Sequence, residues 1–467
     1  MMMTKHIETP LNERFAAKFE VAGLRDTDDA IRTIREKAVD FFLTRGFPSI
    51  KNEEWRFTNM LPFLKDNYAL DVQEQNLSQD TIDTIAGKVK EHLSVLSGRN
   101  RPVDELYRIV TINGLLCREL SVLPQEGLEV LSLASAKEHP LFQKYFGRIA
   151  SEESYPDLNS LKFGKVSRQD GFSALNTALF EDGLMLVMPD RQVLDQPVYL
   201  INAFSSDVDM WLNPRHLIVL GKQAELNVIE SVLPDNAENK AFVNSVTEIA
   251  LDAQAHFHHY DIQTGRANMR LVQRTEATQQ KHSNYSNYTF TFPGTDIVRN
   301  TLNIHLDQDE IESHLYGLYF SSDKQLIDNH TAVHHKFPRC ESNQLYKGVM
   351  AGNSKGVFNG KIYVYEDAQK TNAFQQSSNI LLSDKATIDA KPQLEIFADD
   401  VKASHGTTVG QLDKEALFYL RSRGIGEHAA KNMMINAFSY DVTQKVKDEP
   451  LKNYLEDIIV SKMQDLH

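Results

Sequence analysis

Cysteine is nearly absent from this chain of 467 residues, which carries only Cys117 and Cys340, far apart in sequence. That scarcity excludes a disulfide framework and any all-cysteine metal or cluster site built within one chain, and it predicts a reducing compartment, the cytoplasm. There is no apolar run long enough to span a bilayer, so no membrane association is expected. The opening MMMTKHIETPLNERF lacks the apolar stretch of a signal peptide, so the chain is not expected to be exported. Basic charge is outweighed: Lys and Arg number 50 against 64 Asp and Glu, a net charge of −14. An acidic chain repels phosphate backbones, which argues against a nucleic-acid partner.

Catalytic motifs are equally scarce. GNSKGVFNGKI (352–362) imitates a phosphate-binding loop, but no glycine stands five positions before Gly360 and Ile362 replaces the Ser/Thr that would hold magnesium. GIGEHA (Gly424–Ala429) imitates a dinucleotide fingerprint, yet it joins two helical patterns instead of following a strand. No Gly-x-Ser-x-Gly elbow and no His-Glu-x-x-His occurs.

What is present falls into three regions. Residues 1–150 read as an α-rich domain. Ile31, Ile34, Ala38, Phe41 and Phe42 recur at helical spacing before Gly46, and Ile82, Ile85, Val89, Leu93 and Leu96 do so in Leu77–Leu96. YRIVTING (107–114) reads as a strand entering a turn. Residues 151–411 are mainly β. In Val298–Leu306 the apolar Val298, Leu302, Ile304 and Leu306 alternate with Arg299, Thr301, Asn303 and His305, the pattern of a half-buried strand. YTFTF, HLYGLYF, KIYVY and QLEIF repeat it. So many short strands suit a solenoid, although the absence of a clean period leaves a large sandwich open. Residues 412–467 are helical, with Asp413 as N-cap of KEALFYLRSR, Gly424 as its stop, EHAAKNMMINAF as a second helix and PLKNYLEDIIVSKM as a third. The apolar stripe of the third (Leu451, Tyr454, Leu455, Ile458, Ile459) can pack within the chain or on a partner.

Histidines cluster in AHFHHYD (His256, His258, His259) and HTAVHHKFPRC (His330, His334, His335, with Cys340). Imidazoles alternating along a strand can bind metal, but without a carboxylate or cysteine at a ligand-like offset they read as half-exposed strand residues. Glu53–Glu54 beside Trp55 reads as a solvated charge pair at a helix start. Asp399 and Asp400, taken as neighbours on one strand, would point to opposite faces. In KPQLEIFADDVKASHGTTVGQLD (391–413), His405 stands beside Gly406 and follows Ala403 and Ser404, in an uncrowded bend that another backbone can approach. Composition alone favours a structural turn there.

That segment with the following ALFYLRSRGI, the stretch HHKFPRCESNQLYKGVMAGNSKGVFNGKIYVYEDAQKTNAFQQSSNILLS, and GFPSIKNEEWRFTNM together resemble, in order, the SufB/SufD family of the SUF iron–sulfur cluster assembly machinery, most closely its SufD-like members. The resemblance implies a right-handed parallel β-helix core (151–411) flanked by an N-terminal α-rich domain and a C-terminal helical region (412–467) that docks the SufC ATPase. It implies pairing with a homologous β-helix subunit, SufB, and a functional histidine at that interface, here His405. It implies that this histidine and a cysteine of SufB together form a transient Fe–S cluster, with His405 as a ligand of its iron; no stably bound cofactor is expected. Family members often carry cysteine where this chain has Ala403, so a thiol at that position cannot be required. In isolation the free strand edges can pair two copies as a homodimer. Two other readings compete with this one. One is a purely structural subunit that couples the ATPase, in which His405 is dispensable. The other is a polysaccharide-acting solenoid enzyme.

Overall fold

In the computed structural model the described residues are 14–15, 17–19, 29–70, 77–98, 101–150, 170–233 and 238–464. The opening residues 1–13, the beginning of the central region (151–169) and the last three residues lie outside them.

From residue 241 onward the chain alternates strands between two ten-stranded sheets. Glu312 pairs with Glu341, Glu341 with Asn372, and Asn372 with Lys402, all in parallel, so each coil takes about 30 residues. The opposite sheet advances in the same way through Met269–Gln279, Ile297–Leu306, Leu326–His335, Lys355–Val364 and Thr387–Ile396. The result is a parallel β-solenoid of about eight turns. Its corners repeat in backbone conformation: Gln223, Gln254, His282, Glu310, Arg339 and Lys370 all sit at φ of 59–60°. Non-glycine residues rarely adopt that left-handed region, so the stacked coils must hold them there. Corner hydrogen bonds do so, as from Gln254 N to Lys281 O at 2.9 Å and from Arg339 N to Gln369 O at 2.9 Å.

The sheets begin before residue 151. Arg108–Ile112 pairs in parallel with Val198–Ala203, and Glu129–Ser132 pairs antiparallel with Gly183–Met188. A buried helix, Gly171–Leu179, also interrupts the β pattern.

Both outer faces of the solenoid are covered. Helices Gln79–Leu96 and Glu449–Gln464 lie on one sheet, where Leu93, Leu451, Leu455 and Ile459 share a core with Tyr260, Tyr288 and Phe320. The stripe on the last helix is therefore satisfied within the chain. On the other sheet, Trp55 stacks on Phe172 and Trp211 stacks on Phe242 with ring centroids 3.9 Å apart. This covering explains a departure from the alternating pattern of Val298–Leu306. The outward Arg299 and His305 are as buried as the inward Val298 and Ile304. Arg299 lies under the Trp55 ring, and His305 stacks on His334.

The helix Asp29–Arg45 ends at Gly46, whose φ of +63° favours glycine. Asp413 caps Lys414–Ser422 as the sequence predicts, accepting from Glu415 N and Ala416 N, and Gly424 (φ +83°) ends it. GIGEHA joins that helix to Glu427–Thr443, and GNSKGVFNGKI runs into the strand Lys355–Val364. No described helix is long and apolar enough to cross a membrane.

Candidate functional site at the open end of the solenoid

The strand Lys402–Gly410 is the last of its sheet and pairs on one side only, with Asn372–Leu381. His405 thus stands on a regular edge strand, not in a bend. Asp399 and Asp400 lie in the turn before it instead of on a strand. In-register parallel pairing sets which way His405 faces. Its partner Gln375 is buried, as are Ala373 and Ser377 on the same face, and Ala403 packs against Ala373, Ile362 and Val364. Side chains alternate along a strand, so His405 shares the lumen-facing side with Ala403.

At this last turn no further coil among the described residues lies over that side. Residues 404–410 are all exposed. On this strand, its partner and the end of the facing sheet, Val409, Phe374, Ile396 and Phe397 expose 38–50% of their surface. A free strand edge beside clustered apolar side chains is the surface a second chain covers. A Cβ built at Gly406 or Gly410 meets nothing within 4 Å. Neither glycine is demanded by packing inside this chain, and both leave room for another backbone.

Of the clustered histidines, His256 is exposed and His258 half-buried, as expected, whereas His259, His330, His334 and His335 are buried. His259 Nε2 lies 2.9 Å from Glu230 Oε2, and His335 Nε2 lies 2.8 Å from Ser342 Oγ. His334 stacks between His305 and Tyr363. Among the described residues no three His, Cys, Asp or Glu are grouped to hold a metal ion. Burial pushes the Cys340 thiol up to about 11, which keeps it protonated, and its Sγ donates to Gln308 O at 3.2 Å. A polar cavity of about 30 Å³ elsewhere in the solenoid is lined by His216, Glu230, His259 and Asp261. It has room for one or two waters.

Glu53 and Glu54 are not a free solvated pair. Glu53 bonds Lys391 Nζ at 2.8 Å, Glu54 pairs with Lys361, and His330 Nδ1 lies 3.4 Å from Glu54. Next to them Asp328 is fully buried, pairs with Arg299 and Thr58, and lies 2.9 Å from His330 Nε2. These groups clamp the Trp55 segment onto the solenoid. Burial alone would raise both acids, but His330 and Lys361 hold Glu54 well below the usual carboxylate range, and Arg299 with His330 holds Asp328 at about 2. Depressed carboxylate pKa values contribute stability that is complete above the unfolded value of about 4 and is lost as pH falls through the folded values. The clamp is therefore expected to open between about pH 4 and 2. The measurement is tryptophan fluorescence, since Trp55 and Trp211 are both buried in that cluster. A red shift complete already at pH 5 would contradict this assignment.

Two features of this end escape sequence reasoning. Helix Lys414–Ser422 has no buried residue, and Phe418 and Tyr419 stand 74% and 57% exposed. Its helical period signals an apolar stripe but not that the stripe is left uncovered. Gln375 lies beneath His405 only because of a register that no local motif encodes.

Comparison with known families bears on this end of the molecule. Residues 201–438 match the family described as SUF system FeS cluster assembly, SufBD core domain, and residues 19–200 match the SufBD protein N-terminal region. The chain belongs to the SufBD family. An iron–sulfur cluster assembly SufBD family protein of Synechocystis is 28% identical over 463 residues, 97% of this chain and 96% of that one. The iron–sulfur cluster assembly protein SufD of Escherichia coli is 34% identical over 51% of this chain and 56% of its own length. The chloroplastic protein ABCI7 of Arabidopsis thaliana is 24% identical across 91% of this chain and 84% of its own. The SufBD core match includes both the edge strand with His405 and the exposed helix Lys414–Ser422.

Proposed function

We propose that this SufBD protein is a non-catalytic scaffold subunit of the SUF machinery that closes its open solenoid end on the homologous subunit SufB. In this reading it holds the ATPase SufC through its exposed helix Lys414–Ser422. His405 supplies the imidazole half of a site whose thiol half comes from SufB, and the nascent iron–sulfur cluster is the product built between them, not a resident cofactor. The reading places the complex in the cytoplasm, away from membranes and nucleic acid. Without SufB, the same edge would pair two copies of this chain.

The observation that carries the reading is His405 on the lumen-facing side of an uncovered edge strand, at an end of the solenoid that also exposes large apolar side chains. A neutral imidazole there can ligate iron or take a proton from an arriving thiol. Ala403 means that no thiol of this chain is needed at that point. Rearrangement of SufC on ATP binding would move the two solenoids and open the site.

The exposed helix also fits a second reading, in which the subunit only braces the complex and couples the ATPase. Co-expression with SufB and SufC, followed by anaerobic iron and sulfide analysis, distinguishes the two: the scaffold reading requires cluster loss when His405 is removed. The pair Phe418→Asp and Tyr419→Asp is expected to leave melting of the isolated chain unchanged, because both side chains are exposed. It should weaken SufC capture by about 2 kcal/mol or more, as for buried aromatic anchors of an interface. Undiminished SufC capture would move the docking site elsewhere.

A further inference from the structure

His405 is the last rung of a polar file inside the solenoid. In-register pairing stacks Gln344 of strand Glu341–Met350 beneath Gln375, and Gln375 beneath His405. Successive strands lie about 4.8 Å apart, so side chains of one file can hydrogen-bond from rung to rung. They do: Gln375 Nε2 donates to Gln344 Oε1 at 3.1 Å, and Thr331 Oγ1 from the opposite sheet donates to that same oxygen at 2.7 Å. Both glutamines are only 3% exposed.

Two features single out Gln375. It faces Gly360 across the lumen, where a Cβ would lie 2.1 Å from Gln375 Nε2, so this side chain takes the space a residue at 360 would otherwise fill. Its Oε1 is buried and has no hydrogen-bond partner among the described residues; Gln344 Nε2 below it is likewise unpartnered, but only Gln375 lies next to the open end. A sealed acceptor with no donor is costly, and native proteins rarely leave one unmet. The next side chain in the file is His405, whose ring carries a donor.

We infer that Gln375 is a positioning residue for His405: its Oε1, unpartnered in this structure, accepts a ring N–H when the exposed imidazole turns toward it. The inference rests on the cluster role proposed for His405 and adds how that ring is prepared. With one nitrogen committed as a donor to Gln375, the tautomer is fixed and the other nitrogen keeps its lone pair for iron or for a thiol proton. An imidazole free to rotate and tautomerise would present that lone pair only part of the time.

The test uses the full chain with ring-15N histidine, with His405→Ala assigning the signal. At pH 8 one ring N–H of His405 should exchange at least tenfold more slowly than that of an exposed imidazole. Gln375→Met, similar in length but without an acceptor, should abolish that protection; Gln375→Glu, which keeps the acceptor, should retain it. An unprotected ring in the wild type, or protection that survives Gln375→Met, would overturn the inference. If Gln375→Met does not fold, the wild-type exchange rate and the Gln375→Glu variant still decide it. These spectra concern the isolated chain, whereas the cluster role is read from maturation in the complex, so either can fail without the other.

Discussion

Replacing His405 with alanine is expected to cut cluster maturation at least tenfold while the complex with SufB and SufC still assembles. The side chain is exposed and outside the core, so its loss should change stability by less than about 0.5 kcal/mol. The strand that carries it is held by backbone pairing to Asn372–Leu381, which alanine keeps. What disappears is the only imidazole on the edge strand Lys402–Gly410, and loss of a group that holds or orients a metal costs about 10- to 100-fold. The measurement is iron and sulfide content of the co-expressed complex, together with activity of a cluster-dependent reporter enzyme. Maturation at the wild-type level would leave only the bracing role for this subunit.

The largest effect on stability is expected from Glu248→Ala. Arg215 and Glu248 are 1% and 0% exposed and pair at 2.7 Å. The same carboxylate accepts from Gly147 N at 2.8 Å and Ala150 N at 2.9 Å, tying the segment before residue 151 to the solenoid wall. Removing the carboxylate strands a buried guanidinium and two backbone donors, a loss of about 3–5 kcal/mol. Replacing both charges, as Arg215→Met with Glu248→Leu, should be milder, because no unpaired charge remains and only the two backbone donors lose their partner. Urea unfolding of the three proteins checks this. A single variant within about 1 kcal/mol of wild type would mean that water reaches Arg215.

How far the sequence reveals the molecule can be followed residue by residue. Alternation in Val298–Leu306 marks the strand and its inward face correctly, because packing inside the lumen depends on local period alone. It cannot reveal that Arg299 and His305 on the outer face are buried too, since their covers come from residues hundreds of positions away in the chain or from neighbouring coils. The solenoid has no legible residue repeat because its repeat lies in backbone angles. The corners are filled by Gln, His, Glu, Arg and Lys in turn, all at φ near +60°. A period written in conformation and not in residue type is invisible to sequence comparison within the chain. Capping chemistry, by contrast, is local, and Asp413, Gly424 and Gly46 fall where it puts them.

The site shows the same division. His405 and its small neighbours stand out in sequence, and the family resemblance singles out that histidine. Its setting on an edge strand, its lumen-facing orientation and the glutamine file beneath it follow from which strand ends the sheet. That is a property of the whole stack. Glu53 and Glu54, read locally as solvent-facing, become a clamp only because Lys361, Lys391 and His330 arrive from three later coils.

The uncovered last coil is proposed to be one half of a joint with SufB. The most direct measurement places a photo-reactive benzoylphenylalanine at Thr407, two residues beyond His405 on the same strand face, in the co-expressed complex with SufB and SufC. Irradiation should yield one dominant adduct, with SufB. An adduct with SufC instead, or none in an intact complex, would contradict the claim.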